Sequence, residues 1–224
     1  MKRLLLFSLV ALAFRLQAAP LNQNNILVVA GAPFSDVAPP AQQNFVAEFT
    51  PGGALVQTFQ FTYGNRAYAP GESLRDVAVD QYGSIFAFNG TANPYLTRYS
   101  PATGVFFHKP FLGWSLLPDW TAGGIATYQN FVFVGDQSTA YGMANGLIRF
   151  DSTDGSFQRF AEGTDYTDVV IGGDGRLYAF SGRIDIFDPV SMQKEGSVTL
   201  PSGVPYATCI AADKLGRIFL TSGG

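Results

Sequence analysis

The stretch Asp76-Val-Ala-Val-Asp-Gln-Tyr-Gly-Ser-Ile-Phe86 decides the fold, because the chain repeats it. Asp168-Val-Val-Ile-Gly-Gly-Asp-Gly-Arg-Leu-Tyr178 and Cys209-Ile-Ala-Ala-Asp-Lys-Leu-Gly-Arg-Ile-Phe219 align with it position for position. Gly124-Ile-Ala-Thr-Tyr-Gln-Asn-Phe-Val-Phe133 is a looser copy. Each copy reads as a small apolar strand, buried on both sides, then a tight turn and a second apolar strand. The shared glycines Gly83, Gly175 and Gly216 fall where such a turn calls for positive φ. The equivalent residues Val77, Ile125, Val169 and Ile210 are 48, 44 and 41 positions apart.

A second pattern joins the first. Phe49-Thr-Pro-Gly-Gly-Ala54, Tyr99-Ser-Pro-Ala-Thr-Gly104, Phe150-Asp-Ser-Thr-Asp-Gly155 and Phe187-Asp-Pro-Val-Ser-Met192 each begin with an aromatic that closes an alternating run (VAEF, LTRY, LIRF, IDIF). Turn residues and another β-prone stretch follow, which predicts a hairpin with a loop of four or five residues. Two hairpins per period of this length make a β-propeller blade. The expected fold is therefore all-β, a propeller of four-stranded antiparallel blades near residues 25–61, 75–107, 121–160 and 167–198, with a partial unit at 206–222. About four blades are encoded. The first unit reads as the last three strands of a blade and the final one as a first and second strand. That strand count favours a ring incomplete at its C-terminal end over a closed four-bladed ring with a short tail. No stretch after residue 19 keeps the i, i+3, i+4, i+7 spacing of a helix for a dozen residues.

Composition agrees with a packed β domain. Of 224 residues, 14% are charged and 47% hydrophobic, and 20 phenylalanines and 10 tyrosines suit pleated, half-buried surfaces. A single cysteine, Cys209, excludes an internal disulfide, and a single histidine, His108, excludes a His-cluster metal site. Met1-Lys-Arg3, the apolar run Leu4–Phe14 and Gln17-Ala-Ala-Pro20 have the order of a secretory signal over residues 1–18, with the propeller domain spanning 19–224. An eleven-residue run is too short to cross a hydrocarbon core of about 30 Å. Cleavage after Ala18 removes Lys2, Arg3 and Arg15, taking the formal charge from −3 to −6. An acidic surface without clustered Lys or Arg argues against nucleic acid as partner. The expected address is extracytoplasmic, secreted or periplasmic, with no membrane insertion once the signal is removed.

The segment Asp76-Val-Ala-Val-Asp-Gln-Tyr-Gly-Ser-Ile-Phe-Ala-Phe88 resembles the core of NHL-type propeller repeats: a short apolar strand, Asp-x-x-Gly, and a second apolar strand. The resemblance recurs over residues 25–224 and implies the six-bladed and related propellers as a superfamily. It departs from the NHL pattern after the second strand, at Asn89–Tyr95 and the long Gly135–Gly146.

In this architecture the loops between blades, and those between second and third strands, emerge on one face. There the sequence places Tyr68, Trp114, Trp120, Tyr141, Tyr166 and Tyr206, rings suited to stacking against sugars or peptides. Asp76 and Asp168 open equivalent innermost strands, with Arg75 beside the first. Two readings of these carboxylates compete: a divalent cation at the channel mouth, or capping of backbone amides, which is favoured. No other cofactor is called for. His108, in a loop between blades, has no motif around it, and Cys209 sits in a buried strand as a small hydrophobe. No nucleophile elbow, Walker loop or dinucleotide motif is present. The function expected is a non-catalytic binding or interaction module taking a protein, peptide or carbohydrate ligand. The alternative is a metal-dependent enzyme resembling gluconolactonase-like or streptogramin-lyase-like propellers.

Overall fold

The computed structural model describes residues 20–30, 45–61, 74–89, 95–101, 103, 105–110, 124–136, 145–201 and 207–222. Every regular element among them is a strand. Strands β1 (Ile26–Ala30), β2 (Phe45–Phe49) and β3 (Leu55–Gln60) form a three-stranded sheet. Three four-stranded sheets follow. The first contains β4 (Leu74–Val79), β5 (Ile85–Asn89), β6 (Tyr95–Ser100) and β7 (Val105–Pro110). The next has β8 (Ile125–Tyr128), β9 (Phe131–Asp136), β10 (Gly146–Asp151) and β11 (Phe157–Phe160). The last has β12 (Asp168–Ile171), β13 (Leu177–Phe180), β14 (Arg183–Phe187) and β15 (Lys194–Thr199). A pair, β16 (Ala207–Ala212) and β17 (Ile218–Ser222), completes the series. All pairings are antiparallel and run in chain order, so each sheet is a meander. The first strands β4, β8, β12 and β16 stand side by side. These are the blades of a β-propeller, about four in number.

The second strands explain how one apolar run holds two blades at once. Successive side chains of a strand point to opposite faces. In β5, Ile85 and Ala87 face Val46, Phe59 and Leu74, whereas Phe86 faces Ile125, Val132 and Val134. In β9, Phe133 turns to the opposite interface from its neighbours and meets Val169, Leu177 and Ala179. In β13, Tyr178 and Phe180 close the last interface against Ile210. The core is thus four slabs between sheets. Full burial of each such side chain contributes ~1.5–3 kcal/mol.

The turns follow the expected chemistry. Gly83, Gly175 and Gly216 have φ of 77°, 80° and 76°, and in the looser copy Gln129 takes φ 54°. Asp80 Oδ1 accepts the amides of Tyr82 (2.9 Å) and Ser84 (2.8 Å), and Asp213 Oδ1 those of Leu215 and Arg217, both at 2.9 Å. Gly172 stands at this position in the third complete blade, and the carboxylate moves two residues on. There Asp174 accepts the Arg176 amide at 3.2 Å and the Tyr178 hydroxyl at 2.7 Å. The hairpins after the aromatic residues have loops of five, four, five and six residues, so the last is longer than the pattern predicts. Asp188 braces it, accepting the amides of Val190 (3.1 Å) and Ser191 (2.6 Å).

Three expectations are corrected. The innermost strands are not buried throughout: β8 and β12 are buried over their first two residues only, and in β16 Ile210 is buried between exposed Cys209 and Ala211. In β12 Val169 is buried while Val170 and Ile171 are half-buried, because these two only flank the core slabs on either side of the strand. Cys209 lies in strand β16 but is exposed, since alternation gives Ile210 to the core and turns its neighbour away. His108 lies in strand β7, opposite Thr97, and not in a loop.

Candidate functional site

Asp168 opens β12 as expected. Asp76 is corrected to the third residue of β4, which starts at Leu74 and pairs irregularly between Leu74 and Asp76. Both carboxylates are engaged with backbone on both oxygens. Asp76 Oδ1 accepts the Val77 amide at 2.8 Å, and its Oδ2 reaches across to the Ile125 amide of the next blade at 2.9 Å. Asp168 repeats the device one blade further on, taking Val169 N at 2.8 Å and Ile210 N at 2.7 Å. The four amides are equivalent positions of the repeat, each within an innermost strand. Two carboxylates satisfy all four, which matters because a buried N–H left unpaired costs about 1–3 kcal/mol.

Between the two aspartates, the equivalent position is Gly124. A Cβ on Gly124 would lie 1.6 Å from Asp168 Oδ1, 2.8 Å from its Cγ and 3.0 Å from the Val169 nitrogen. The Asp168 carboxylate therefore occupies the place a side chain at 124 would need. Burial pushes the Asp76 carboxyl above its ordinary value, against the pull of the Ile125 and Val77 amides. For Asp168 burial is again the main cause. The Ile210 amide opposes it and the negative charge of Asp76 adds to it, and the carboxyl is held up at about 6.

Of the other residues singled out from sequence, Tyr68, Trp114, Trp120, Tyr141 and Tyr206 lie outside the described residues, as does the side chain of Arg75, whose backbone belongs to β4. Tyr166 is corrected. It is 1% exposed, with its ring edge-on to Phe187 and its hydroxyl donating to Asp185 Oδ2 at 2.8 Å, so it belongs to the core and not to the loop face. The reason is a buried acceptor that the sequence did not advertise. Asp185, 1% exposed, also takes Arg183 Nε (2.9 Å), Ser197 Oγ (2.8 Å) and Lys194 Nζ (2.9 Å). Burial pushes the Asp185 carboxyl upward, but these donors outweigh it and hold it down at about 2. The same partnership, with burial as the larger cause, pushes the Tyr166 hydroxyl well above its ordinary value.

Two residues that matter at this end were missed: Gly124, legible only as the break in an otherwise regular Asp position, and Asp185, hidden in a short alternating strand. Among the described residues, no three His, Cys, Asp or Glu side chains converge as a metal-binding group.

No protein-family model matches the chain, and no curated protein sequence matches it significantly. Solved structures do match in shape. A protein of Bacteroides uniformis, provisionally assigned as a 6-phosphogluconolactonase, superposes with a TM-score of 0.57 at 14% identity, over 89% of this chain and 62% of its own. The Dos1 propeller superposes with a TM-score of 0.51 at 14% identity, over 80% of this chain and 48% of its own. The chain thus spans about three fifths of the first and half of the second. At such identity the likeness carries the propeller fold and nothing finer.

Proposed function

We propose that this chain is an extracytoplasmic, NHL-like propeller that acts as a non-catalytic binding module. Its ligand, a protein, peptide or carbohydrate, is taken by the loops at the Asp76/Asp168 end. One observation supports this reading above others: both oxygens of each carboxylate are spent on backbone amides of two adjacent blades. They tie adjacent blades together, and recognition then falls to the side chains of the connecting segments, among them Trp114 and Trp120 in the sequence joining β7 to β8. A second reading, the lactonase- or lyase-like enzyme with its site at the same end, draws on the Asp168 carboxyl being held near 6, a value useful to a general acid.

Trp114 and Trp120 are the only tryptophans, so intrinsic emission reports on this segment directly. Titration with a panel of peptides and oligosaccharides is expected to shift that emission, and Trp114→Phe or Trp120→Phe to weaken the binding detected. Calcium-dependent hydrolysis of a sugar lactone, abolished in Asp168→Asn, would overturn the binding-module reading in favour of the enzyme.

A further inference from the structure

The opposite end of the innermost strands holds a cavity of about 530 Å³, between the turn that precedes β1 and the turn joining β4 to β5. We infer that this cavity is a binding site for a neutral saccharide, separate from the loop face. The inference rests on what lines it. Asn22, Gln23, Asn25 and Gln81 line it, and side-chain amides combine donors and acceptors, the pair of roles that neighbouring sugar hydroxyls require. Asn25 spends one Nδ2 hydrogen on Glu48 and Asn22 one Oδ1 lone pair on the Asn24 amide, and each keeps a further donor and acceptor site. Asp80 adds a carboxylate. Both bonds that brace its own turn fall on Oδ1, so among the described residues Oδ2 remains without a donor and can accept a ligand hydroxyl. Tyr82, 70% exposed, supplies a ring for the C–H face of a pyranose, as an amphipathic aromatic does at small-molecule sites.

Charge narrows the ligand class. Among the described residues of the lining there is no lysine, arginine or histidine, and Asp80 is the one carboxylic acid. A phosphorylated or carboxylated sugar would meet the Asp80 carboxylate with no cation to answer it among the described lining residues. The volume lies in the range of small-molecule pockets and accommodates a disaccharide.

Both walls are fixed before any ligand arrives, which lowers the ordering cost of binding. Glu48, 1% exposed, holds the first wall: its Oε1 accepts the Asn22 amide at 3.0 Å and Asn25 Nδ2 at 2.6 Å, while Oε2 accepts Gln57 Nε2 at 2.6 Å. Asn22 Oδ1 takes the Asn24 amide at 3.1 Å, closing the turn. The second wall is the turn held by Asp80, with Gly83 at φ 77°. A long hydrogen bond of 3.4 Å from the Tyr82 hydroxyl to Asn130 Oδ1 steadies the ring from the next blade.

Isothermal titration calorimetry on the full chain tests the inference, with maltose, cellobiose, lactose and N,N′-diacetylchitobiose as probes and with glucose 6-phosphate and a proline-rich peptide as contrasts. At least one neutral disaccharide is expected to bind at millimolar concentration or below. Tyr82→Ala and Gln81→Ala are each expected to weaken it about tenfold. Because both residues are exposed, the melting temperature should hold. Trp114→Phe and Trp120→Phe should leave this binding unchanged, which separates the cavity from the loop face. The inference is overturned if no neutral disaccharide binds at millimolar concentration, if the Tyr82 and Gln81 variants bind as the parent does, or if glucose 6-phosphate or the peptide binds more tightly than every disaccharide.

Discussion

The junction between β4 and β8 and the junction between β12 and β16 are built alike, and the one between them is not. At the first and last, an aspartate reaches from one innermost strand to an amide of the next. At the middle junction Gly124 offers no side chain, and the Val169 amide is taken instead by Asp168 of its own strand. The contrast teaches that the irregularity of the repeat is a consequence of geometry. A carboxylate with two oxygens serves two amides, so every second strand needs none. The space it fills is the space its neighbour's Cβ would occupy. A third aspartate at this end would also set another negative charge beside two carboxyls already displaced upward by burial.

The sharpest way to break this comparison is to put a side chain at the middle junction. Gly124→Ala is expected to cost ~3 kcal/mol, near the upper end for overpacking, because the obstructing atoms are a hydrogen-bonded carboxylate and a backbone nitrogen. Repeating it in an Asp168→Gly background should recover more than half of that cost, leaving the 3.0 Å contact with Val169 N as the residue of strain. Chemical denaturation of the four proteins completes the cycle, and an undiminished cost in the double variant would show that the carboxylate is not the obstacle.

Next come the two aspartates themselves. Asn has one acceptor oxygen where Asp has two, so Asp76→Asn and Asp168→Asn each leave one amide facing a donor. A loss of ~2 kcal/mol is expected for Asp76→Asn at neutral pH. Asp168→Asn should cost less, because it also removes a charge that burial and Asp76 already disfavour. Equal losses in thermal melts would mean that the two staples do not differ electrically.

Acidity sharpens the same contrast. The folded-state value for Asp168, about 6, lies above its ordinary 3.8, so the folded protein holds the proton more tightly than the unfolded chain. The stabilisation from this proton is complete below about 3.8 and is lost as pH rises through about 6. Relative to Asp168→Asn, which carries no titrating group there, the parent should gain ~1–2 kcal/mol between pH 7 and pH 4. Melting curves of both proteins across that interval check the sign. A gain of the opposite sign would show that the amides, not burial, dominate this carboxyl.

How far the sequence could be read depends on whether a residue's task is local. The blades were legible because the pleat repeats every two residues and the tight turns require a left-handed residue, which gave Gly83, Gly175 and Gly216 away. Amide capping by Asp76 and Asp168 was legible because short carboxylates at strand starts commonly bind backbone. Their reach to Ile125 and Ile210, more than forty residues on, was not, since it depends on how one blade sits against the next. Tyr166 illustrates the reverse failure. Tyrosine between blades suits either a ligand face or a core with a polar partner, and Asp185, nineteen residues later, chose the core. The cavity beside Tyr82 had no signal at all in a linear reading, because its two walls come from turns that share no motif.

The smallest expected effect concerns the opposite edge of the same junctions. Arg98 and Arg149 hold equivalent places in the third strands, one residue before the aromatic, and each reaches the following blade's hairpin loop. Arg98 Nη1 donates to the Ser152 carbonyl at 3.1 Å, and Arg149 Nη1 donates to the Val190 carbonyl. The Arg149 guanidinium also lies 4.4 Å from the centroid of Phe131 and 5.1 Å from that of Phe160. Arg98 spans a junction that Asp76 already ties, whereas Arg149 spans the one where Gly124 contributes nothing. Arg149→Ala should therefore cost ~1 kcal/mol and Arg98→Ala about half of that, both being surface-side ties in water. Urea titrations of the two variants, alone and with Asp76→Asn, decide the matter: losing the Asp76 staple should raise the cost of Arg98→Ala toward that of Arg149→Ala and leave Arg149→Ala unchanged. If the Arg98 cost stays where it was, the two edges of a junction do not share its load, and the middle junction has no special need of Arg149.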